Sequence, residues 1–180
     1  YPQDQVEQLV EYAKANGGIS RYQKIEFFFN VIRKESISSK SVNHWAAQFS
    51  KLVMQDIVEA RPVEGSLEFL KKYFNHFDFA IVSGSDQQEL RRVCRERGID
   101  HFFKIILGSP TEKKNNIAAL LSDLNWKHNK SLYVGDSHND LEAAEANNLD
   151  FIGRSSGLAE WESYNIKFVS DLSSLYNVLH

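Results

Sequence analysis

Three short apolar runs, each closed by small or polar residues and each followed by a helical pattern, constrain the fold of this chain more than any other feature. They are Phe79-Ala80-Ile81-Val82 before Ser83-Gly84-Ser85, Ile105-Ile106-Leu107 before Gly108-Ser109-Pro110, and Leu132-Tyr133-Val134 before Gly135-Asp136. Such runs, separated by helices, are strands of a parallel sheet with crossover helices on its faces. In a sheet of this kind ligands bind in the crevice outside the carboxyl ends of the strands.

Each of these strand ends carries a chemically useful group. Asp136 ends its strand and Asp140 falls in the first turn of the next helix, so a carboxylate pair is presented at one lip of the sheet. The pair suits a hard cation such as Mg2+, with water and a substrate phosphate completing the shell; the other use for these residues is a turn and a helix cap. Ser83 and Gly84 precede Asp86-Gln87-Gln88-Glu89, which has the spacing of a capping box. A hydroxyl and free backbone N–H groups therefore meet a helix start, a ready anion site. Gly108-Ser109-Pro110-Thr111-Glu112-Lys113 brings a lysine to the opening of a third helix. A hydroxyl, an ammonium and paired acids are thus expected in one crevice.

The order and spacing of these pieces through residues 79–140 resemble the haloacid dehalogenase (HAD) superfamily of phosphohydrolases. The resemblance implies that Ser83, with the Gly84 amide, binds the transferring phosphoryl group. It implies that Lys113, with Lys114 as the neighbouring candidate, neutralises charge on phosphate and nucleophile. Asp136 would bind Mg2+, and Asp140 would support that metal site. The family's first motif, Asp-x-Asp, supplies the nucleophile and the general acid/base and does not occur in these residues. Asp78 is no substitute, because at ~3.3 Å per residue it lies roughly 15 Å from the strand end that carries Ser83. The chain is therefore expected to be a HAD protein given without its N-terminal portion, as an opening residue other than Met also suggests, and to be inactive as it stands. The family places its first strand between those bearing Ser83 and Asp136. Without it two strand edges are expected to lack partners, at about 1–3 kcal/mol per unpaired buried group, unless an upstream strand or another segment fills the place.

The expected architecture is α/β: residues 62–180 form a Rossmann-like parallel sheet core lacking that central strand, and residues 1–61 form part of an α-helical cap of the C1 type. Val6, Leu9, Val10 and Ala13 share a helical face that should end at Asn16-Gly17-Gly18. Ser20 can cap a second helix with a Tyr22, Ile25, Phe29, Ile32 stripe, whose phenylalanines read as core rather than as a ligand platform. A third helix carries Val42, Trp45, Phe49, Leu52, Val53 and Ile57, and Arg61-Pro62-Val63 reads as a hinge. Further on, helix 65–75 should bury Leu67, Leu70 and Phe74, and a terminal helix should be capped by Ser170 or Asp171 ahead of Leu172, Leu175 and Leu179. Gly18-Ile19-Ser20-Arg21 is similar to a cap loop that in C1-type HAD proteins dips into the crevice. By that resemblance Arg21, helped by Lys24, would hold the anionic end of a substrate; the alternative is a solvated surface arginine.

Composition excludes several classes. A net charge of −3 gives no electrostatic case for nucleic acid, and no apolar run reaches membrane-spanning length. The one cysteine, Cys94, cannot form an internal disulfide and points to a reducing, cytoplasmic compartment. The implied function is a Mg2+-dependent phosphatase that hydrolyses a small phosphomonoester through an aspartyl phosphate, most like phosphoglycolate phosphatase. The alternatives are a phosphosugar mutase of the β-phosphoglucomutase type and a silent HAD-like module that binds phosphorylated ligands or a partner. The partner expected is a small phosphorylated substrate; oligomeric state is open.

Overall fold

The computed structural model describes residues 1–179, with the backbone alone at 179; the Leu179 side chain and His180 lie outside the described residues. The chain opens with three helices, α1 (Gln3–Ala15), α2 (Arg21–Phe27) and α3 (Ser39–Glu59). The first stops at Asn16, and Gly18 takes a left-handed conformation with φ of 84°, which a glycine adopts without penalty. Ser20 then opens α2 with a reciprocal capping box to Gln23.

Two expectations for this stretch need correcting. The second helix does not run on as an α-helix but passes into a π-helical turn, Phe28–Ile32. The extra residue per turn shifts the register of the aromatic run. Phe27 stacks on Tyr12 at 3.5 Å between ring centres, and Phe28, buried, meets Tyr1 edge-on at 4.9 Å. The triple phenylalanine is therefore packing material, as expected. In α3 the row that faces its neighbours is Val42, Ala46 and Ser50, at i, i+4 and i+8, with Val42 and Ala46 fully buried. Of the predicted stripe, Trp45, Phe49 and Leu52 are 40%, 47% and 79% exposed. Small residues on the contact row let α3 sit close to α2 and to a later helix, and the larger apolar residues beside that row are left in solvent.

From α4 (Ser66–Tyr73) onward strands and helices alternate: β1 (Phe79–Asp86), α5 (Gln87–Glu96), β2 (Phe103–Ser109), α6 (Lys113–Asp123), β3 (Leu132–Gly135), α7 (His138–Glu145), β4 (Asp150–Arg154), β5 (Lys167–Val169) and α8 (Leu175–Leu179). Every strand pair is parallel, as the crossover helices require. Ile117 and Leu120 of α6 and Leu141, Ala143 and Ala144 of α7 are buried, while Ile152, Val169 and Leu175 centre a second cluster. In α4 the buried aromatic is Tyr73 rather than Phe74, because Tyr73 stacks on Tyr176 at 5.0 Å whereas Phe74 is 45% exposed. The last helix starts at Leu175 rather than before Leu172, since Asp171 spends its carboxylate on the Ser173 N–H and the Leu172 N–H bonds to the Glu64 carbonyl. Cys94 is buried, and burial pushes its thiol pKa up, so it is a packing residue. No helix among the described residues is long and apolar enough to cross a membrane.

The strands form two sheets rather than one, β1-β2 and β3-β4-β5. No ladder joins β1 to β3, so each has one edge without a strand partner among the described residues. The Tyr133 hydroxyl of β3, 3.1 Å from the Val82 carbonyl of β1, reaches from one sheet to the other.

Candidate functional site

A cavity of about 560 Å³ opens between the carboxyl ends of β1 and β3, and its walls include Ser83, Gly84, Lys113, Asp136, Asp140 and Arg21. Lys24 joins them, so seven of the eight residues singled out in the sequence meet at one place; Lys114, the neighbouring candidate, does not line it and pairs with Glu112 at 3.1 Å. The β1–β2 register breaks after the Val82–Leu107 pair and resumes at Asp86–Ser109, which frees residues 83–85 from the ladder at the cavity mouth. There the Ser83 Oγ accepts the Ser85 N–H at 3.1 Å.

Lys113 is held by its neighbours on both sides. Asn116 Nδ2 donates to the Gly108 carbonyl at 3.0 Å and fixes the loop before α6. The Lys113 ammonium lies 2.6 Å from Asp140 Oδ1, with both side chains 7% exposed. Asp140 accepts more than this one bond: Oδ1 lies 2.9 Å from the Tyr133 hydroxyl, and Oδ2 takes the Asp136 and Ser137 N–H groups at 3.2 and 3.1 Å and the Ser137 hydroxyl at 2.7 Å. Burial, then the Asp140 charge, push the Tyr133 phenol far up, so it stays a neutral donor. Asp140 therefore organises the strand end, the α7 start and the lysine, and its oxygens are engaged in the structure. The carboxylate that remains open to the cavity is Asp136, 40% exposed, whose nearest cation among the described residues is Arg154 Nη1 at 3.8 Å. No group of three or more His, Cys, Asp or Glu that could hold a metal occurs among the described residues, so a cation here would rely on Asp136 together with substrate and water.

The loop between α1 and α2 enters this cavity. A Cβ placed on Gly84 would lie 2.3 Å from the Gly18 carbonyl oxygen, and one on Gly18 would lie 2.3 Å from Ser137 Oγ and 2.9 Å from Lys113 Nζ. Backbone meets backbone only because both residues lack side chains. The loop is then fastened by its next residues. Arg21 Nη1 and Nη2 grip the two Glu89 oxygens at 2.7 and 2.5 Å, Nη1 also donates to Ser50 Oγ at 2.7 Å, and the Tyr22 hydroxyl donates to Asp86 Oδ2 at 2.6 Å. Burial alone would raise the Glu89 carboxyl, but the bonds from Arg21 and Ser50 outweigh it and hold the group below its ordinary value. Asp86 likewise falls below its ordinary value, because the Tyr22 hydroxyl and the Glu89 and Gln88 amides outweigh burial. The tyrosine correspondingly rises to about 12, through burial first and the Asp86 bond second.

Several residues outside the sequence candidates matter here: Tyr133, Ser137, Glu89 and Tyr22. Glu89 reads locally as the last residue of a capping box, and its partner 68 residues earlier leaves no trace in spacing. Asp78 pairs with Lys104 at 3.3 Å, away from the cavity. His138 packs against Tyr164 and Trp161, at 5.0 and 5.8 Å between rings. The arginines of α5 lie on an exposed face, where Arg91 donates to the Ile106 carbonyl and Arg92 pairs with Glu96 in solvent, while Arg97, just past the helix, caps the end of α3 by donating to the carbonyls of Ile57, Val58 and Ala60.

Comparison with known proteins matches residues 6–154 to the family model of haloacid dehalogenase-like hydrolases. Among curated proteins, the chain is similar to phosphoglycolate phosphatases of Colwellia psychrerythraea, 26% identical over 136 residues (73% of this chain, 59% of that protein), and of Methanoculleus marisnigri, 27% identical over 141 residues (71% and 59%). The chain thus spans about three-fifths of the length of these relatives. Among solved structures, CbbY of Rhodobacter sphaeroides in complex with phosphate superposes with a TM-score of 0.75 at 14% identity, covering 97% of this chain and 80% of that one. A predicted phosphoglycolate phosphatase of Haemophilus somnus gives 0.74 at 15% identity, covering 98% and 88%. At these identities the structural likeness speaks to fold.

Proposed function

Because the chain belongs to the haloacid dehalogenase-like hydrolase family, we propose that it carries the phosphate-binding half of a Mg2+-dependent phosphatase acting on small phosphomonoesters, most like the phosphoglycolate phosphatases. The observation that carries this reading is the single cavity that unites a hydroxyl, an ammonium and an open carboxylate at the ends of separate strands. In it the Ser83 hydroxyl and Gly84 amide donate to phosphoryl oxygens, and Lys113, aimed by Asp140, faces the charge that develops on them. Asp136 suits a cation: it is 40% exposed, lines the cavity and has no charged partner closer than 3.8 Å among the described residues, and one or two carboxylates with a phosphate and water are the usual surroundings of Mg2+. Such an ion, when bound, offsets the charge between phosphate and nucleophile.

The attacking carboxylate is proposed to arrive on a strand that fills the gap between β1 and β3, giving an aspartyl phosphate, with a second acid on that strand protonating the leaving alcohol and then activating water. Supporting this are the two facing edges without partners, whose carboxyl ends flank the cavity, and a lining whose only described acids are Asp136 and Asp140. The test is phosphate release from small phosphomonoesters by the protein that contains such a strand. Asp136→Ala should lower the rate by at least about 100-fold, and EDTA should abolish it; full activity in EDTA contradicts the metal assignment.

A further inference from the structure

A second cavity, of about 440 Å³, lies at the amino end of β2, the end opposite the phosphoryl cavity. It is bounded by α4, by the turn after α5 and by the short helical turn Asp100–Phe102 that leads into β2. It shares no lining residue with the first cavity, and its volume is that of a small-molecule site. One wall is aromatic. Phe74 meets Phe102 edge-on at 5.7 Å between ring centres, and the His101 ring lies 4.0 Å from that of Phe102. Phe74 is left in solvent although Tyr73 beside it is buried, so an aromatic side chain is offered to a flat ligand.

The other wall is basic. Lys71 and Arg97 line the cavity, no acid does, and neither is in an ion pair among the described residues. Arg97 is already aimed: its Nη1 donates to the Ile57, Val58 and Ala60 carbonyls at 3.0, 3.0 and 2.7 Å. Those bonds fix the guanidinium plane and leave Nε and Nη2 without partners among the described residues. Cations are also used to complement helix C-termini, and Lys71 stands in the last turn of α4 and Arg97 directly after α5. That effect answers only roughly half a charge per helix, and Lys72 and Arg95 stand in the same last turns. The two charges at the cavity therefore exceed what the helix ends require, in a chain whose net charge is −3.

We propose that this cleft is a second binding site, for a small aromatic anion whose ring packs against Phe74 and Phe102 and whose carboxylate or phosphate is bonded by Lys71 and Arg97. It goes beyond the phosphatase reading and does not depend on it. Neither half of the ligand suffices: a ring without charge leaves both cations unmatched, and an anion without a ring meets hydrated cations that hold it weakly.

The experiment is an amide chemical-shift titration of the labelled 180-residue chain with naphthoate, adenosine monophosphate, naphthylmethanol and acetate, read at residues 67–74 and 97–102. Naphthoate or the nucleotide should give saturable shifts there, the tighter of the two telling a carboxylate from a phosphate. Naphthylmethanol and acetate should bind there at least about tenfold more weakly, since each lacks one of the two contacts. Lys71→Met and Phe74→Ala, both at exposed positions where substitution leaves the fold intact, should each weaken the aromatic anion about tenfold. The proposal is overturned if neither aromatic anion gives saturable shifts at these residues, if the alcohol or acetate binds equally well, or if affinity is undiminished in either variant.

Discussion

The α/β stretch and the helical stretch supply the two walls of one cavity, yet they position their residues by different means. From β1 onward every candidate residue sits within a few positions of a strand's carboxyl end, so the backbone pattern alone sends Ser83, Lys113 and Asp136 to a common edge. On the helical side nothing local sends Gly18 or Arg21 anywhere. Gly18 reaches Ser137 and Lys113 because the opposing surface is shaped to admit bare backbone, and Arg21 is fixed by Glu89, 68 residues away. The difference teaches that a site built on strand ends is specified by secondary structure, whereas the wall that closes it is specified by a few long-range polar contacts.

If that contrast holds, damage to the first wall should be the larger. Lys113→Met leaves Asp140 buried without its counter-charge and should cost about 3–5 kcal/mol, read from denaturant unfolding. Adding Asp140→Asn should cost much less than the sum of the two single changes, because the residues act as a unit.

The second wall should fail by acid. Glu89 has its carboxyl held below the ordinary value of 4.5, and Asp86 below 3.8. A depressed folded-state pKa contributes stability that is complete above the ordinary value and is lost as pH falls through the depressed one. Contacts between α2 and α5 should therefore be constant from pH 7 to about 5 and loosen below about 4.5, seen as faster amide exchange in α2. Glu89→Gln should flatten that acid response and cost about 1.5–3 kcal/mol at neutral pH through the lost charged hydrogen bonds. The smallest effect belongs to the solvent side of the same wall: Leu52→Gln, at a site 79% exposed, should change stability by less than about 0.5 kcal/mol.

The sequence could be read to different depths in the two stretches for the same reason. The strands themselves and their parallel pairing, the capping Ser20 and Asp86, and the stop at Asn16 follow from short-range pattern and are found where expected, although β1 and β2 run on to Asp86 and Ser109, past the apolar runs that end at Val82 and Leu107. The inward face of α3 departs from its apolar stripe because large apolar residues dominate a helical pattern, whereas close helix packing here favours Ala46 and Ser50. Tyr73 rather than Phe74 is buried because Tyr176, near the other end of the chain, offers a stacking partner. The saturation of Asp140 by Lys113, Tyr133 and Ser137 needs three segments in register, which no single window displays.

The central claim is that the cavity between β1 and β3 receives a phosphoryl group at Ser83, Gly84 and Lys113. Backbone amide chemical shifts of the labelled chain, followed as inorganic phosphate is added in magnesium buffer, test it most directly. The account predicts saturable shifts concentrated at residues 83–85, around Lys113 and at 135–137, and their loss in Lys113→Met. Shifts confined to other surfaces, or undiminished in that variant, would contradict it.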